Sequence, residues 1–379
     1  MANSVIELLA KGDFYFGNPS SVHKEGKKAK KVIRSVKDFL YDLFSLSPDK
    51  FDLIFHSGAT EGINNIIKGY FLHYFQEKKM GHFFYALTDH SSVRNTVDVI
   101  KTLGHTTHHL KVNKNGDFDE EDLKQKILQI RKNDSTVPIL INYTFVNNEN
   151  GVVWPLFKIK KIKEEFGVDV HVDAAQSIGK IDLWWKLDDL LDAYTYSGHK
   201  FGALKGIGFS FISTKLPLTP LISGGGQQGG KRSGTENVLG IQSLQLSLEE
   251  LKGSFDFERL NYAKMYFEEE LAKRFGDKIE IISKNAQNRN GNTTFLVVKN
   301  QKSDVVQAAF DIEGIQVGTG SACSSETTLT SAVLMAQGYL ESDAQSAIRF
   351  SFPFNFSTED VKECLEKITV ILERLVLSS

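Results

Sequence analysis

From about residue 52 to residue 212 short apolar runs alternate with longer segments of helical period, and this alternation constrains the fold more than any other feature of the chain. Apolar runs buried on both faces belong to a mainly parallel sheet, and the segment between two of them must cross over as a helix. The pattern predicts strands at residues 53–55, 83–87, 108–112, 138–143, 168–172, 192–196 and 206–212. The connecting helices are expected around residues 61–76, 93–103, 120–130 and 157–166. Ligands of such α/β sheets bind in the crevice beyond the carboxyl ends of the strands.

Past the glycine cluster at residues 224–234 the pattern changes to a helix pair (243–251 and 257–275), strands at 279–282 and 294–298, and a closing helix at 359–375. That is a smaller α+β unit, so the expected organisation is an N-terminal segment (1–15), a large domain (16–245) and a small C-terminal domain (246–379). A chain of 379 residues buries enough surface to fold without disulfide or metal staples. Lys plus Arg is 45 against 47 for Asp plus Glu, so no whole-molecule charge draws it to nucleic acid or anionic lipid. Cys323 and Cys364 cannot make a disulfide framework, and the opening residues lack the basic and apolar regions of a leader. The apolar stretch 137–146 is far short of the roughly 20 residues a membrane span needs. A cytoplasmic protein without membrane or nucleic-acid partners is expected.

Five constellations carry chemistry. The strand at 192–196 runs into Ser-Gly-His-Lys, and a lysine just past a buried strand is placed to lose solvation and form a Schiff base; Lys200 is the candidate, against the ordinary reading of a solvated strand-end lysine. Asp173, in His171-Val-Asp-Ala-Ala-Gln176, is either a helix N-cap or a carboxylate facing the crevice, where it could pair with a protonated pyridine nitrogen of the kind that makes pyridoxal phosphate an electron sink. Ser57-Gly-Ala-Thr-Glu61 joins a strand to a helix, and its small residues and helix N-terminus suit a phosphate. The glycine-rich stretch from Gly224 to Asn237 holds too many Arg, Thr, Glu and Asn residues for a linker and reads as a specific loop. In Gly318-Thr-Gly-Ser-Ala-Cys-Ser-Ser325 a cysteine sits among small polar residues, which makes Cys323 a candidate nucleophile, whereas Cys364 on an amphipathic helix reads as packing.

In this order the five elements resemble the cysteine desulfurases, pyridoxal-phosphate enzymes of the class V aminotransferase group that supply sulfur for iron–sulfur clusters. The resemblance runs from Phe16-Gly-Asn-Pro-Ser-Ser-Val-His23 to the C-terminal helix. It is carried also by Asp89-His90, Val146-Asn-Asn-Glu-Asn-Gly151, Ser197-Gly-His-Lys200, Arg232-Ser-Gly-Thr-Glu-Asn237, Gly320-Ser-Ala-Cys323 and Ile348-Arg-Phe-Ser351. The step from Cys323 to Arg349 looks like the subgroup with the long cysteine loop. The resemblance implies the fold type I architecture of pyridoxal-phosphate-dependent transferases and a homodimer, with L-cysteine converted to L-alanine and its sulfur passed to Cys323 as a persulfide for a sulfur-acceptor or iron–sulfur scaffold protein.

The resemblance also implies roles. Lys200 would hold pyridoxal 5'-phosphate as a Schiff base, Asp173 would pair with its ring nitrogen and Gln176 would bond its phenolic oxygen. His90 would stack on the ring, with Asn148 beside it. Ala59, Thr60, Ser197 and His199 would hold the phosphate, joined by Thr235 from a second subunit. Arg349, helped by Asn18, would clamp the substrate carboxylate. The chain departs from the family in lacking an Asp-Asn-Ala-Ala-Thr-Thr-Pro-like motif before Gly17, a piece that normally helps line the active site, and in carrying Asp89 and Gln228 where glutamate is common. Two alternatives stay open: another class V activity, such as a selenocysteine lyase or aminotransferase, and a low-activity scaffold subunit of a sulfur-transfer complex. His105, His108 and His109 read as strand residues on opposite faces and not as metal ligands. The basic stretch from Lys24 to Arg34 reads first as a solvated helix face.

Overall fold

The computed structural model describes residues 1–12, 14–320 and 330–377. The seven expected strands are all present: β1 (Phe51–His56), β2 (His82–Ala86), β3 (Thr106–Leu110), β4 (Ile139–Thr144), β5 (Asp169–Asp173), β6 (Ala193–Ser197) and β7 (Gly208–Ser213). They form one sheet in the order β1-β7-β6-β5-β4-β2-β3. Its pairings are parallel except those of β7, which runs against both β6 and β1. The mainly parallel reading of the apolar runs therefore holds, and the strands β2, β4, β5 and β6 all end at the same edge.

The helices of this part are α1 (Asn3–Lys11), α2 (Lys24–Phe44), α3 (Ala59–Gln76), α4 (Ser91–Arg94), α5 (Val97–Thr102), α6 (Glu120–Asn133), α7 (Leu156–Phe166) and α8 (Val238–Ser254). One face of the sheet buries Phe44, Tyr196, Phe209 and Phe211 in a continuous aromatic cluster, with ring centroids 5.2–5.9 Å from Phe44. The other packs Ile63, Ile66, Ile67 and Phe71 of α3 against Ile54, Phe83 and Leu140. The helix expected at 93–103 is interrupted between α4 and α5. There the Thr96 hydroxyl bonds the carbonyl of Val93 at 2.6 Å, competing with the helical amide.

The N-terminal segment is not loose. Glu250 of α8 accepts the Asn3 and Ser4 amides at the start of α1, at 3.2 and 2.9 Å. Between α1 and α2 the chain folds back so closely that a side chain on Gly17 would meet the Glu25 carbonyl at 2.5 Å, and one on Gly26 would meet that of Asn18 at 2.5 Å. Only glycine fits at these two crossings.

β1 is an outer strand of the large sheet, and the glycine-rich loop lies along it. The Phe55 amide donates to Gln228 Oε1 at 2.6 Å, and Gln228 Nε2 donates to the Phe55 carbonyl at 2.9 Å. Lys231 pairs with Asp52 and Arg232 with Glu61, each at 2.8 Å, so the glycines form a fixed structure and not a tether.

Residue 245 lies inside α8, whose Ile241, Leu244, Leu248 and Leu251 belong to the large core. A second core begins at Leu260 of α9 (Phe257–Phe275). It packs α9, α10 (Ser303–Ile312) and α13 (Thr358–Leu377) on an antiparallel sheet made of β8 (Ile279–Ile281), β9 (Thr293–Val298), β10 (Gly318–Thr319) and β11 (Ala347–Ser351) in the order β10-β11-β9-β8. The short helices α11 (Ala332–Ala336) and α12 (Glu341–Ala344) lead into β11. Cys364 on α13 is half-buried against this core. Among the described residues no helix is long and apolar enough to cross a membrane.

Candidate active site

A parallel strand must be followed by a turn before its crossover helix, so every strand of such a sheet delivers its next residues to the same edge. Here Asp89 and His90 follow β2, Val146, Asn148 and Glu149 follow β4, and Asp173 closes β5 ahead of Ala175 and Gln176. Ser197 closes β6 ahead of His199 and Lys200. All of them line one cavity of about 790 Å³, together with Ser57 to Thr60 at the start of α3. The small domain closes the opposite wall with Thr319, Gly320 and Arg349. A pocket of this size with a few converging polar groups is suited to a small organic ligand.

Asp173 is followed by a turn and not by a helix, so it is not a helix N-cap: its Oδ1 accepts the Ala175 amide of that turn at 3.1 Å, and its side chain lines the cavity while buried. Burial pushes its pKa up to about 6, against the opposing pull of that amide and of Lys200. Lys200 differs from the expectation of a desolvated amine. A 3₁₀ turn, Gly198–Lys200, lifts it off the strand, and its exposure is to the open cavity. His90 is fixed from below, with Nδ1 taking the Ser92 amide at 3.1 Å and lying 2.8 Å from the Ser92 hydroxyl. Burial lowers its pKa, helped by the charges of Lys200 and Arg94, so the ring is neutral near pH 7.

The N-terminus of α3, which has no side-chain cap, lies beside Ser197 Oγ, itself 3.0 Å from His199 Nδ1. On the far wall Arg349 donates from Nη1 to the Asn148 carbonyl at 2.6 Å, while its buried Nε has no partner among the described residues. Gln176 accepts a hydrogen bond from Lys180, whose pKa is lowered to about 7 by burial and by the charges of Lys200 and Arg349.

Of the residues picked from the sequence, Ala59, Thr60, His90, Asn148, Asp173, Gln176, Ser197, His199, Lys200 and Arg349 meet at the cavity. Two do not line it. Asn18 is exposed and caps its own turn, accepting the Ser20 amide at 2.9 Å. Thr235 lines a neighbouring cavity of about 110 Å³ with His56, Gln228 and Arg232. Cys323 lies outside the described residues. His105, His108 and His109 are engaged in hydrogen bonds to Phe71 and Gly81, to His82 and to Tyr85 respectively.

Sequence reasoning passed over Glu149, Arg94 and Lys205, which also line the cavity. Glu149 stood within the quoted Asn-Asn-Glu motif but had no assigned task. It accepts the Ser331 hydroxyl at 2.5 Å, and burial raises its pKa to about 7 against the pull of Ser331, Arg349 and Arg94. Arg94 and Lys205 carried no local signal, because neither their spacing nor their neighbours differ from those of surface cations.

The sequence model of the family described as Aminotransferase class-V matches residues 3–364. The cysteine desulfurase IscS of Dictyoglomus turgidum is 32% identical over 366 residues, covering 95% of this chain and 88% of that protein. The chain belongs to the cysteine desulfurases of the class V aminotransferase family. Among solved structures, the NifS-like protein from Rickettsia africae is similar at a TM-score of 0.84 and 27% identity, over 98% of this chain and 96% of that one. SspA in complex with cysteine is similar at 0.75 and 27%, over 93% and 96%. The cavity of this cysteine desulfurase thus lies in a fold that extends over nearly the whole of its relatives, with the sheet edge and the arginine wall both inside the matched region.

Proposed function

We propose that this chain binds pyridoxal 5'-phosphate at Lys200 and converts L-cysteine to L-alanine, passing the sulfur to Cys323 and from there to an acceptor protein. The observation that carries the reading is the convergence on one cavity of an amine (Lys200), a buried carboxylate (Asp173), an uncapped helix N-terminus and an arginine with an unpartnered Nε (Arg349). The residues fit the cofactor. A carboxylate held near pH 6 by burial gains from a cationic N–H set against it, and the free amides of Ala59 and Thr60 with Ser197 and His199 form a phosphate cradle.

When bound, pyridoxal phosphate supplies an electron sink for charge developing at the substrate Cα. Asp173 keeps that sink charged, because a full carboxylate opposite a ring nitrogen favours the protonated ring. Gln176 would offer its amide to the cofactor's ring oxygen, and the neutral imidazole of His90 would contact the ring. Arg349 would bind the substrate carboxylate and so orient the Cα for reaction. Lys200 would hold the cofactor through Nζ and, with substrate bound, would take the Cα proton at that atom. Cys323 as thiolate attacks the substrate sulfur, so that the S–S bond forms as the Cβ–S bond breaks, and protonation of the three-carbon remainder yields alanine.

Two partners belong to this reading. Thr235 stands outside its own cavity, which suits a second subunit whose phosphate it would reach, and a persulfide requires an acceptor protein. The test is the absorption spectrum of the purified protein with pyridoxal phosphate. A yellow band should shift on adding cysteine while alanine accumulates, and Lys200→Ala should remove the band and lower alanine formation about a thousandfold or more. A chain that stays colourless, or whose band ignores cysteine, would refute the proposal.

A further inference from the structure

A row of buried polar side chains crosses the large sheet strand by strand. His56 Nε2, at the end of β1, lies 3.0 Å from Ser210 Oγ of β7; Ser210 Oγ lies 2.9 Å from Thr195 Oγ1 of β6; and Thr195 Oγ1 lies 2.9 Å from His171 Nε2 of β5. His171 Nδ1 then lies 2.8 Å from Asn142 Oδ1 of β4, and Asn142 Nδ2 donates to Asp89 Oδ2 at 2.9 Å. The members follow the spatial order β1, β7, β6, β5 and β4, and the row ends in the turn that follows β2. None of the six is more than 4% exposed.

Burying this many polar groups costs stability relative to apolar side chains, and the cost is met only if every link is made in a consistent sense. The sense is dictated from the Asp89 end. Burial raises the pKa of Asp89 to about 7, and above that pH the ionised carboxylate only accepts, so the Asn142 amide presents its NH₂ to Asp89 and its oxygen to His171. His171 therefore carries its proton on Nδ1, and its bare Nε2 must accept the Thr195 hydroxyl. Thr195 in turn accepts from Ser210, and Ser210 accepts from the Nε2–H of His56. The same logic leaves His56 Nδ1 bare, in agreement with its having no partner among the described residues.

All of these dipoles point at Asp89, which also accepts the Thr144 hydroxyl at 2.7 Å and the Ala86 amide at 2.9 Å. The Asp89 amide returns a bond to the Ala86 carbonyl at 3.0 Å, and Asn147 holds the Thr88 carbonyl at 2.9 Å. Asp89 is thus the side chain that closes the turn from which His90 enters the cavity.

We infer that this seam is a positioning relay, in which Thr195, His171 and Asn142 lock Asp89 and with it the placement of His90 over the reacting group. The inference rests on the proposed reaction for the role of His90, but the hydrogen-bond sense does not, and the two can fail separately. In ¹⁵N-histidine spectra of the full chain without cofactor, His171, identified by the signal lost in His171→Gln or displaced in Thr195→Val, should show a protonated Nδ1 and a bare Nε2. The opposite tautomer would overturn the relay whatever the activity of the protein.

With pyridoxal phosphate bound, Thr195→Val removes one hydroxyl from a site that touches no ligand. It should lower kcat for alanine formation about tenfold, leave KM within about twofold and move the His90 ¹⁵N signals, whereas Thr195→Ser should restore all three. Because the links act in series, Asn142→Leu combined with Thr195→Val should lose little more than Asn142→Leu alone. Fold-losses that multiply, or a Thr195→Ser variant that behaves like valine, would show a merely structural seam. Should Asn142→Leu fail to fold, the tautomer and the serine rescue still decide.

Discussion

The two walls of the cavity are built by different rules. On the large-domain wall Asp173, His90 and Ser197 sit at or just past the ends of parallel strands, and each is held by its own turn: Asp173 by the Ala175 amide, His90 by Ser92, Ser197 by His199. On the small-domain wall Arg349 sits within an antiparallel strand and reaches the site where the segment 148–153 packs against the second core. Arg349 bonds the Asn148 carbonyl, Ser331 bonds Glu149, the Asn290 amide bonds the Gly151 carbonyl, and the Val153 amide bonds that of Asn288. Under the proposed function, this chain's contribution to holding the cofactor would come mainly from the first wall, while gripping a substrate would depend on the register between the two.

That contrast predicts separable defects. The largest effect is expected on the first wall: Asp173→Ala should cut alanine formation about a thousandfold, and it should alter the absorbance of bound pyridoxal phosphate without cysteine present. Arg349→Ala should act only once substrate arrives, raising KM for cysteine about 100-fold while cofactor affinity, read by equilibrium dialysis, changes less than about twofold. A matching loss of cofactor affinity in Arg349→Ala would erase the distinction between the walls.

The smallest effect concerns the seam between the domains. The folded-state pKa of Glu149 is raised from an ordinary 4.5 to about 7, so the folded chain holds this proton where the unfolded chain has lost it. Stability from this group is fully present below pH 4.5 and is lost as pH rises through 7. Glu149→Gln keeps an acceptor for Ser331 and removes the titration. Its melting temperature should therefore gain on the parent by a few degrees between pH 4.5 and 7.5, a shift seen by calorimetry at fixed ionic strength. Parallel melting curves across that range would place the proton elsewhere.

Much of this was legible before any coordinates. Strand existence followed from runs such as 83–87 and 168–172, because residues buried on both faces of a sheet are mostly apolar. The cavity followed from chemistry at strand ends, where Asp173, Ser197 and Lys200 lie close in sequence to the strands that carry them. What stayed hidden was long-range. The seam from His56 to Asp89 draws one residue from each of several strands, and no single stretch of sequence reveals it. Glu149 meets Ser331 across the domain junction, and Lys200 was read as desolvated because the turn that exposes it is set by tertiary packing. The break between α4 and α5 depends on a single threonine hydroxyl, below the reach of helical periodicity.

The grip of Gln228 on β1 has a consequence for behaviour in solution. An outer strand with unpaired amides and carbonyls is a template on which another chain can add, and proteins guard such borders against fibre growth. Here one carboxamide stands in for a neighbouring strand at a single residue, accepting from the Phe55 amide and donating to the Phe55 carbonyl, which a glutamate at neutral pH could not do. Gln228 thus occupies the backbone groups of Phe55 on the outer strand, and Gln228→Glu, which loses the donated bond, should lower the melting temperature by about 1–2 °C in calorimetry.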